Sequence, residues 1–309
     1  MSDPVVVSVF TIGIGLMAPI LWAALGELIT EQAGVLNVGI EGVMLLGAFG
    51  AAIGNRYAGG LIPGVFIGVA VGALCGLFLA WLYVSRGVDQ IVTGILFTVF
   101  ALGLTTVIYA KYLGGGKAST LPEVHIPGLE DIPYLGDILF QQRALVYIAL
   151  GFVPIVFYLM RRTWFGLYAR AVAENPRAAE TAGLDVVRLR YPAVILGCMF
   201  AAMGGAALVV NTSGQFVLGM TNGRGFIALA VVVLAAWNPF WVVGACLLFG
   251  CAQSLQLQSD RLGPLGDIPD EFWLMLPYVV TILAVVFARA TRYPSAVGVP
   301  YRRAGAIKT

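Results

Sequence analysis

Charge, histidine and catalytic motifs are what this sequence has least of. Only 11% of its 309 residues are charged, against roughly 25% in a soluble domain, so a water-solvated surface of ordinary extent is excluded. With His125 as the one histidine, a histidine-rich metal site or a His-dependent triad has almost no support. Cys75, Cys198, Cys246 and Cys251 form neither a CxxC nor a metal-ligand spacing and lie in apolar windows, where packing is the expected role. No HExxH or GxSxG occurs. In Gly114-Gly-Gly-Lys117-Ala118-Ser119 the lysine is followed by alanine and no strand precedes it, so it is not a phosphate-binding loop. Gly223-Arg-Gly-Phe-Ile-Ala228 has no βαβ setting for a dinucleotide. No metal or cofactor is expected on this chain, and no nucleic-acid partner. The longest polar stretches, about 30 residues each, are too short to bury a core of their own.

What is present is apolar sequence, 60% of the residues, with a mean hydropathy of +0.91. Windows of about 20 apolar residues, enough to cross a hydrocarbon layer of roughly 30 Å, recur from end to end. Spans are predicted near 6–29, 35–54, 59–84, 88–111, 144–161, 191–211, 223–237, 240–257 and 272–290. The stretch from Gly223 to Leu257 reads equally as a hairpin broken at Asn238-Pro239, as two half-helices, or as one span with a re-entrant piece. The expected fold is an all-α integral-membrane bundle of about eight to ten crossings, a single transmembrane domain over 1–309. The N-terminus has no basic flank of the signal-peptide kind, so the first span is expected to be retained.

A net charge of +2 says little, but the placement of basic residues orients the chain. Six arginines lie between Arg161 and Arg190 and five more basic residues from Arg289 to Lys308. Both regions, a loop over 162–190 and a tail over 291–309, are expected in the cytoplasm, with an even number of spans between them. The loop over 114–143 is then extracytoplasmic, an ordered cap with repeated Pro and Gly, and the N-terminus falls outside.

Within the basic loop, Arg170 to Gly183 reads as one short polar helix. Asn175 suits the N-cap, Pro176 the first helical position and Gly183 a left-handed end. Small alanines and charges leave it no wide apolar stripe, so it is expected to lie against something supplied from outside.

Glycines supply a second pattern. Gly60, Gly64, Gly68, Gly72 and Gly76 recur every four residues on the third span and permit close helix contact, with Gly47, Gly50 and Gly54 extending a similar face on the second. The third span is expected inside the bundle. Pro19 lies midway along the first span and is expected to kink or break it.

Intramembrane polar residues are expensive and seldom idle. Asn37 and Glu41, four apart at the start of the second span, read either as a pathway or gating pair or as an interhelical packing bond. Glu27 reads as an interfacial acid ending the first span. Asp89 suits a helix N-terminus, while Gln90 and Thr93 are candidates for a translocation lining. Asn211, Gln215, Asn222 and Arg224 fall between the sixth and seventh spans, near the outer face, where snorkelling suffices for Arg224.

Taken in order, Pro19 with Leu25-Gly-Glu27, the run Gly34 to Ala48, Asp89-Gln-Ile-Val-Thr93-Gly94, Arg170 to Ala179 with Gly183, and Gly223 to Ala230 with Asn238-Pro239 resemble the permease subunit of bacterial ABC importers. That broad family includes branched-chain amino acid, ribose-type sugar and nucleoside permeases, and the resemblance covers most of the chain. It implies a type II importer-like fold in the bacterial cytoplasmic membrane, with Arg170, Glu174, Asn175, Pro176, Arg177, Ala178 and Gly183 in a coupling helix seated on a separate cytoplasmic ATPase. It also implies ATP and Mg bound on that ATPase, a second permease subunit, paralogous or identical, and an extracytoplasmic substrate-binding protein. The LGELITEQAGVLNVGIEGVMLLGA and VDQIVTG runs look most like the nucleoside-type permeases. Sugars or branched-chain amino acids are the alternative cargoes, and an ion-coupled secondary transporter using Glu41 is the rival of another class.

Overall fold

The computed structural model describes residues 5–112, 120–125, 135–261, 269–287 and 294–301. Among them the chain is almost wholly helical. Helix α1 (Val5–Glu31) is followed by α2 (Ile40–Tyr57), α3 (Leu61–Ala80) running into a π-helical turn (Trp81–Arg86), and α4 (Gln90–Tyr112). A short strand β1 (Glu123–His125), α5 (Leu135–Leu139) and β2 (Gln141–Arg143) lead to α6 (Ala144–Arg162). Then come α7 (Trp164–Glu174), α8 (Pro176–Thr181), α9 (Val186–Ala207) with a π-helical end (Leu208–Ser213), α10 (Arg224–Leu234), α11 (Pro239–Leu257) and α12 (Asp270–Phe287).

Six of these helices are long and apolar enough to cross a membrane among the described residues. Helices α2 and α12, 18 residues each, reach about 27 Å at 1.5 Å per residue. Helix α10 has 11 residues, about 16 Å, half a crossing. The Gly223–Leu257 region is therefore a half-helix and a full span, separated by a tight turn in which Ala236 and Trp237 take positive φ.

The core is built on small residues. Helix α9 packs against α1, α2 and α3, and the glycines explain how closely. A Cβ on Gly64 would sit 2.6 Å from the Ala51 carbonyl oxygen of α2, and one on Gly68 2.7 Å from the Gly47 oxygen. One on Gly76 would lie 2.8 Å from Ile195 Cα of α9, and Gly72 abuts Cys198 and Ala202. Backbones touch where these side chains are missing. Gly60 does not belong to this stripe: it precedes α3 at φ +148, and its nearest neighbour is 4.0 Å away. Nor is the third span enclosed, since Ile62, Phe66 and Leu74 on its other side are exposed. The stripe buries one face only.

Helix α1 is continuous through Pro19, so of the expected kink or break the break does not occur. The Pro19 carbonyl sits against Gly204 of α9, where a Cβ would come within 2.5 Å of it. At the far end, β1 and β2 pair antiparallel, Glu123 opposite Arg143, and Leu121 N–H donates to the Val210 oxygen. Part of the expected cap over 114–143 is thus ordered structure; residues 113–119 and 126–134, with Lys117, lie outside the described residues, as do 288–293 and 302–309 of the tail.

Candidate functional site

Two features meet at the arginine-rich end of the bundle. The first is the α7–α8 element. Asn175 Oδ1 accepts from Ala178 N at 3.0 Å, Pro176 opens α8, and Gly183 at φ +90 follows its last turn, as the capping residues require. The stretch is not one helix, however. Asn175 is extended and also ends α7, so Arg170 and Glu174 belong to α7 while Arg177 and Ala178 belong to α8. Helix α7 carries exposed Trp164 and Leu167, an amphipathic pattern suited to an interface. Helix α8 exposes Arg177, Ala178 and Thr181 together. Its other face does have packing of its own, contrary to expectation: Ala179 is buried with Val172, Val186 and Tyr301.

The second feature is a polar cluster around residues 32–39. This segment, expected to be helical from 35, is not; α2 begins only at Ile40. Gly34 turns at φ +81, and side chains take up the backbone groups that a helix would have paired. Glu27 Oε1 accepts from Asn37 N at 2.9 Å, and Gln90 Oε1 accepts from Leu36 N at 2.7 Å. Non-helical backbone at membrane depth needs such partners. Glu27 is consequently buried rather than interfacial. The Asn37 amide donates to Cys198 Sγ at 3.4 Å and accepts from the Tyr83 hydroxyl at 3.4 Å. Asn37 and Glu41 therefore do not share a helix face.

Glu41, 7% exposed, has a different role. Its Oε1 accepts from Gly223 N at 2.8 Å and its Oε2 from Gly225 N at 2.7 Å. It caps the half-helix α10 from 182 residues away in sequence, where free N–H groups and the helix dipole favour a carboxylate. Gly225 permits this approach, since a Cβ there would fall 2.6 Å from Glu41 Cα. Asn222, with φ +43, is exposed just before this junction.

Depth follows from the other end of α10. Trp237 Nε1 donates to Glu31 Oε2 at 2.6 Å, and its carbonyl accepts from Gln32 Nε2 at 2.8 Å. Since α10 ends at the arginine-rich face, its start lies about 16 Å inward, and Asn222 and Arg224 are not at the opposite face. Asn211 is there, beside the β-strands: its carbonyl accepts from Arg143, and its side chain lines a cavity of about 350 Å³ with Thr11, Gln142 and Arg143. Gln215 is exposed. The candidate lining residues thus divide into Asn37, Glu41, Gln90 and Asn222 around the 32–39 segment and α10, and Asn211 with Gln215 elsewhere. Thr93 is half-buried one residue from Gly94, which abuts Gly39. Asp89 Oδ1 accepts from Val92 N, a plain cap.

Three residues that matter here were not singled out by sequence reasoning: Glu31, Trp237 and Arg190. Arg190 looks like one more basic flank, yet it is 1% exposed and its Nε donates to the Ala33 oxygen at 3.2 Å. No metal-binding group of histidine, cysteine and carboxylate side chains exists among the described residues.

A bundle of crossing helices, an inward half-helix capped by a remote carboxylate and a charged two-helix element at one end define a multi-pass permease. The chain belongs to the branched-chain amino acid transport system / permease component family, whose model matches residues 9–285. It is 37% identical over 298 residues to the guanosine ABC transporter permease protein NupQ of Bacillus subtilis, covering 92% of this chain and 93% of that one. It is 31% identical over 294 residues to the nucleoside ABC transporter permease protein NupC of Lactococcus lactis, with the same shares. The putative glucose ABC transporter permease protein TsgC13 of Haloferax volcanii is 39% identical over 251 residues, 79% of this chain and 75% of its own length. No solved structure matches significantly.

Proposed function

We propose that this chain is the membrane permease subunit of an ATP-driven importer of nucleosides. The observation that carries the cargo is the near full-length similarity to two permeases named for guanosine and nucleosides. The drive is a separate cytoplasmic ATPase holding ATP and Mg, a second permease subunit completes the path, and an extracytoplasmic binding protein delivers the solute. The arginine-rich end, with α7, α8 and residues 294–301, faces the cytoplasm of a bacterial cell, in keeping with the positive-inside bias.

On this reading Arg170, Glu174, Asn175, Pro176, Arg177, Ala178 and Gly183 form the surface that the ATPase displaces. The 32–39 segment with Asn37, Gln90 and Thr93, and the α10 start with Glu41 and Asn222, border the path; Asn211 and Gln215 lie toward its outer end. ATP-driven closure of the ATPase moves α8, and the permease pair alternates between outward- and inward-open forms.

The test is uptake of labelled guanosine into proteoliposomes holding this permease with its ATPase, permease partner and binding protein. ATP-dependent uptake that excess inosine competes and glucose does not is expected. Competition by glucose alone moves the cargo to sugars; ion-driven uptake without the ATPase overturns the class. Reversing charge at Glu174 and Arg177 together is expected to leave ATP hydrolysis running while uptake stops.

A further inference from the structure

Residues 294–301 return to the α7–α8 element and join it to the 32–39 segment. Ala296 N donates to the Ala173 oxygen at 2.9 Å and Ser295 Oγ to Glu174 Oε2 at 3.1 Å. Five residues on, the Tyr301 hydroxyl donates to Glu180 Oε2 of α8, and the Tyr301 ring packs with Val172, Ala179 and Val186. The Arg190 guanidinium lies over that ring, 5.8 Å from its centroid, a cation–π distance. Arg190 in turn holds the Ala33 carbonyl, and a Cβ on Gly34 would meet its Nη2 at 2.7 Å. Gly298, at φ +76, lies beside Leu36. Leu36 and Asn37 then bond to Gln90 and Glu27.

A continuous set of contacts therefore runs from Glu180 on α8 through Tyr301 and Arg190 to Ala33 and the backbone at 36–37. The interior end is costly to disturb: Arg190 is a fully buried cation, and a buried charge that loses its partners is destabilising. The surface end is a charge-assisted hydrogen bond, among the stronger kinds available. The inner members of the set are packed side chains rather than solvated ones, Arg190 1% and Tyr301 9% exposed.

We propose that the C-terminal segment 294–301 is a working part of the coupling element, and that Tyr301 and Arg190 are positioning residues that pass movement of α8 to the 32–39 segment. The inference rests on α8 being the ATPase-contacting helix. The segment moves with α7–α8 as one body and is not a latch that releases.

The test uses the assembled transporter in proteoliposomes and reads guanosine taken up per ATP hydrolysed, with thermal unfolding of the purified assembly as the control for structure. Tyr301→Phe keeps the ring and removes the bond to Glu180; it is expected to lower the ratio roughly tenfold, equivalent to about 1.4 kcal/mol, with ATP hydrolysis retained and the unfolding midpoint lowered by no more than the loss of one hydrogen bond. A chain ended at residue 293 is expected to lower the ratio further. A cysteine pair at positions 173 and 296, oxidised across the existing backbone contact, is expected to transport at the wild-type ratio. A wild-type ratio in Tyr301→Phe and in the shortened chain overturns the inference, as does a cross-link that blocks uptake while shortening raises it, the behaviour of a latch. The Glu174/Arg177 charge reversal run alongside separates the two levels: normal coupling there removes the docking reading itself, whereas uncoupling there with normal tail variants removes only this inference.

Discussion

Replacing Glu41 by glutamine tests the central junction of the bundle. The carboxylate holds two backbone N–H groups, at 2.8 and 2.7 Å, at the start of α10. Glutamine keeps one acceptor oxygen but turns an NH₂ toward the second N–H, so one charge-assisted bond is lost, roughly 1.5–3 kcal/mol. The negative charge at the helix N-terminus goes with it, worth about 0.3–2 kcal/mol. The expected loss is about 2–5 kcal/mol, large against a typical stability of about 5–15 kcal/mol. Glu41→Asp keeps the charge but is one methylene too short to reach both groups, so it should fall between wild type and glutamine. The measurement is the unfolding midpoint in detergent, followed by uptake in proteoliposomes. A glutamine variant with the wild-type midpoint and a raised KM refutes the anchoring argument, because it would make Glu41 a solute contact instead of a structural cap.

Gly225→Ala should be worse than Glu41→Gln, since the new Cβ falls 2.6 Å from Glu41 Cα and only backbone movement relieves it; the yield of folded protein in detergent reports this. Gly68→Val should disrupt the α2–α3 contact, where a Cβ meets the Gly47 oxygen at 2.7 Å, whereas Gly103→Ala, in a helix with nothing within 4 Å, should be neutral or stabilise by up to about 1 kcal/mol. Both are read from thermal unfolding. Asn175→Ala removes the cap on Ala178 N, costs about 1 kcal/mol locally, and should reduce uptake per ATP more than it lowers the unfolding midpoint.

The bundle was legible because its signals are local. Apolar windows mark the spans, and the four-residue glycine spacing finds the face on which Gly64, Gly68, Gly72 and Gly76 meet α2 and α9. Caps are local too, so Asn175 and Asp89 behave as their types suggest. What sequence pattern missed depends on partners far along the chain. Residues 35–39 read as the start of a span because their composition is mostly apolar; only Glu27 and Gln90, from other helices, make extended backbone acceptable there. Glu41 pairs with Gly223 and Gly225, and Arg190 with Ala33 and Tyr301, across separations that no periodicity encodes. The stretch Arg170–Gly183 stands out in the sequence by its polarity, but its division at Asn175 does not, because one residue serves as the end of α7 and the cap of α8.

The glycine contacts among α1, α2, α3 and α9 have a mechanical consequence. At Gly26, Gly47, Gly68, Gly76 and Gly204 the neighbouring atoms are backbone carbonyls, Cα or Cβ atoms of the facing helix, so no long side chain can change rotamer to let one helix slide past another. Packed backbones resist shear. The four helices therefore resist sliding past one another at these contacts. Relative motion is left to joints of other kinds: the 32–39 segment, the hydrogen-bonded seat of α10 on Glu41, and the turn at Ala236 and Trp237. Hinge motion at these joints around the close-packed helices is thus the movement the packing favours in a transport cycle.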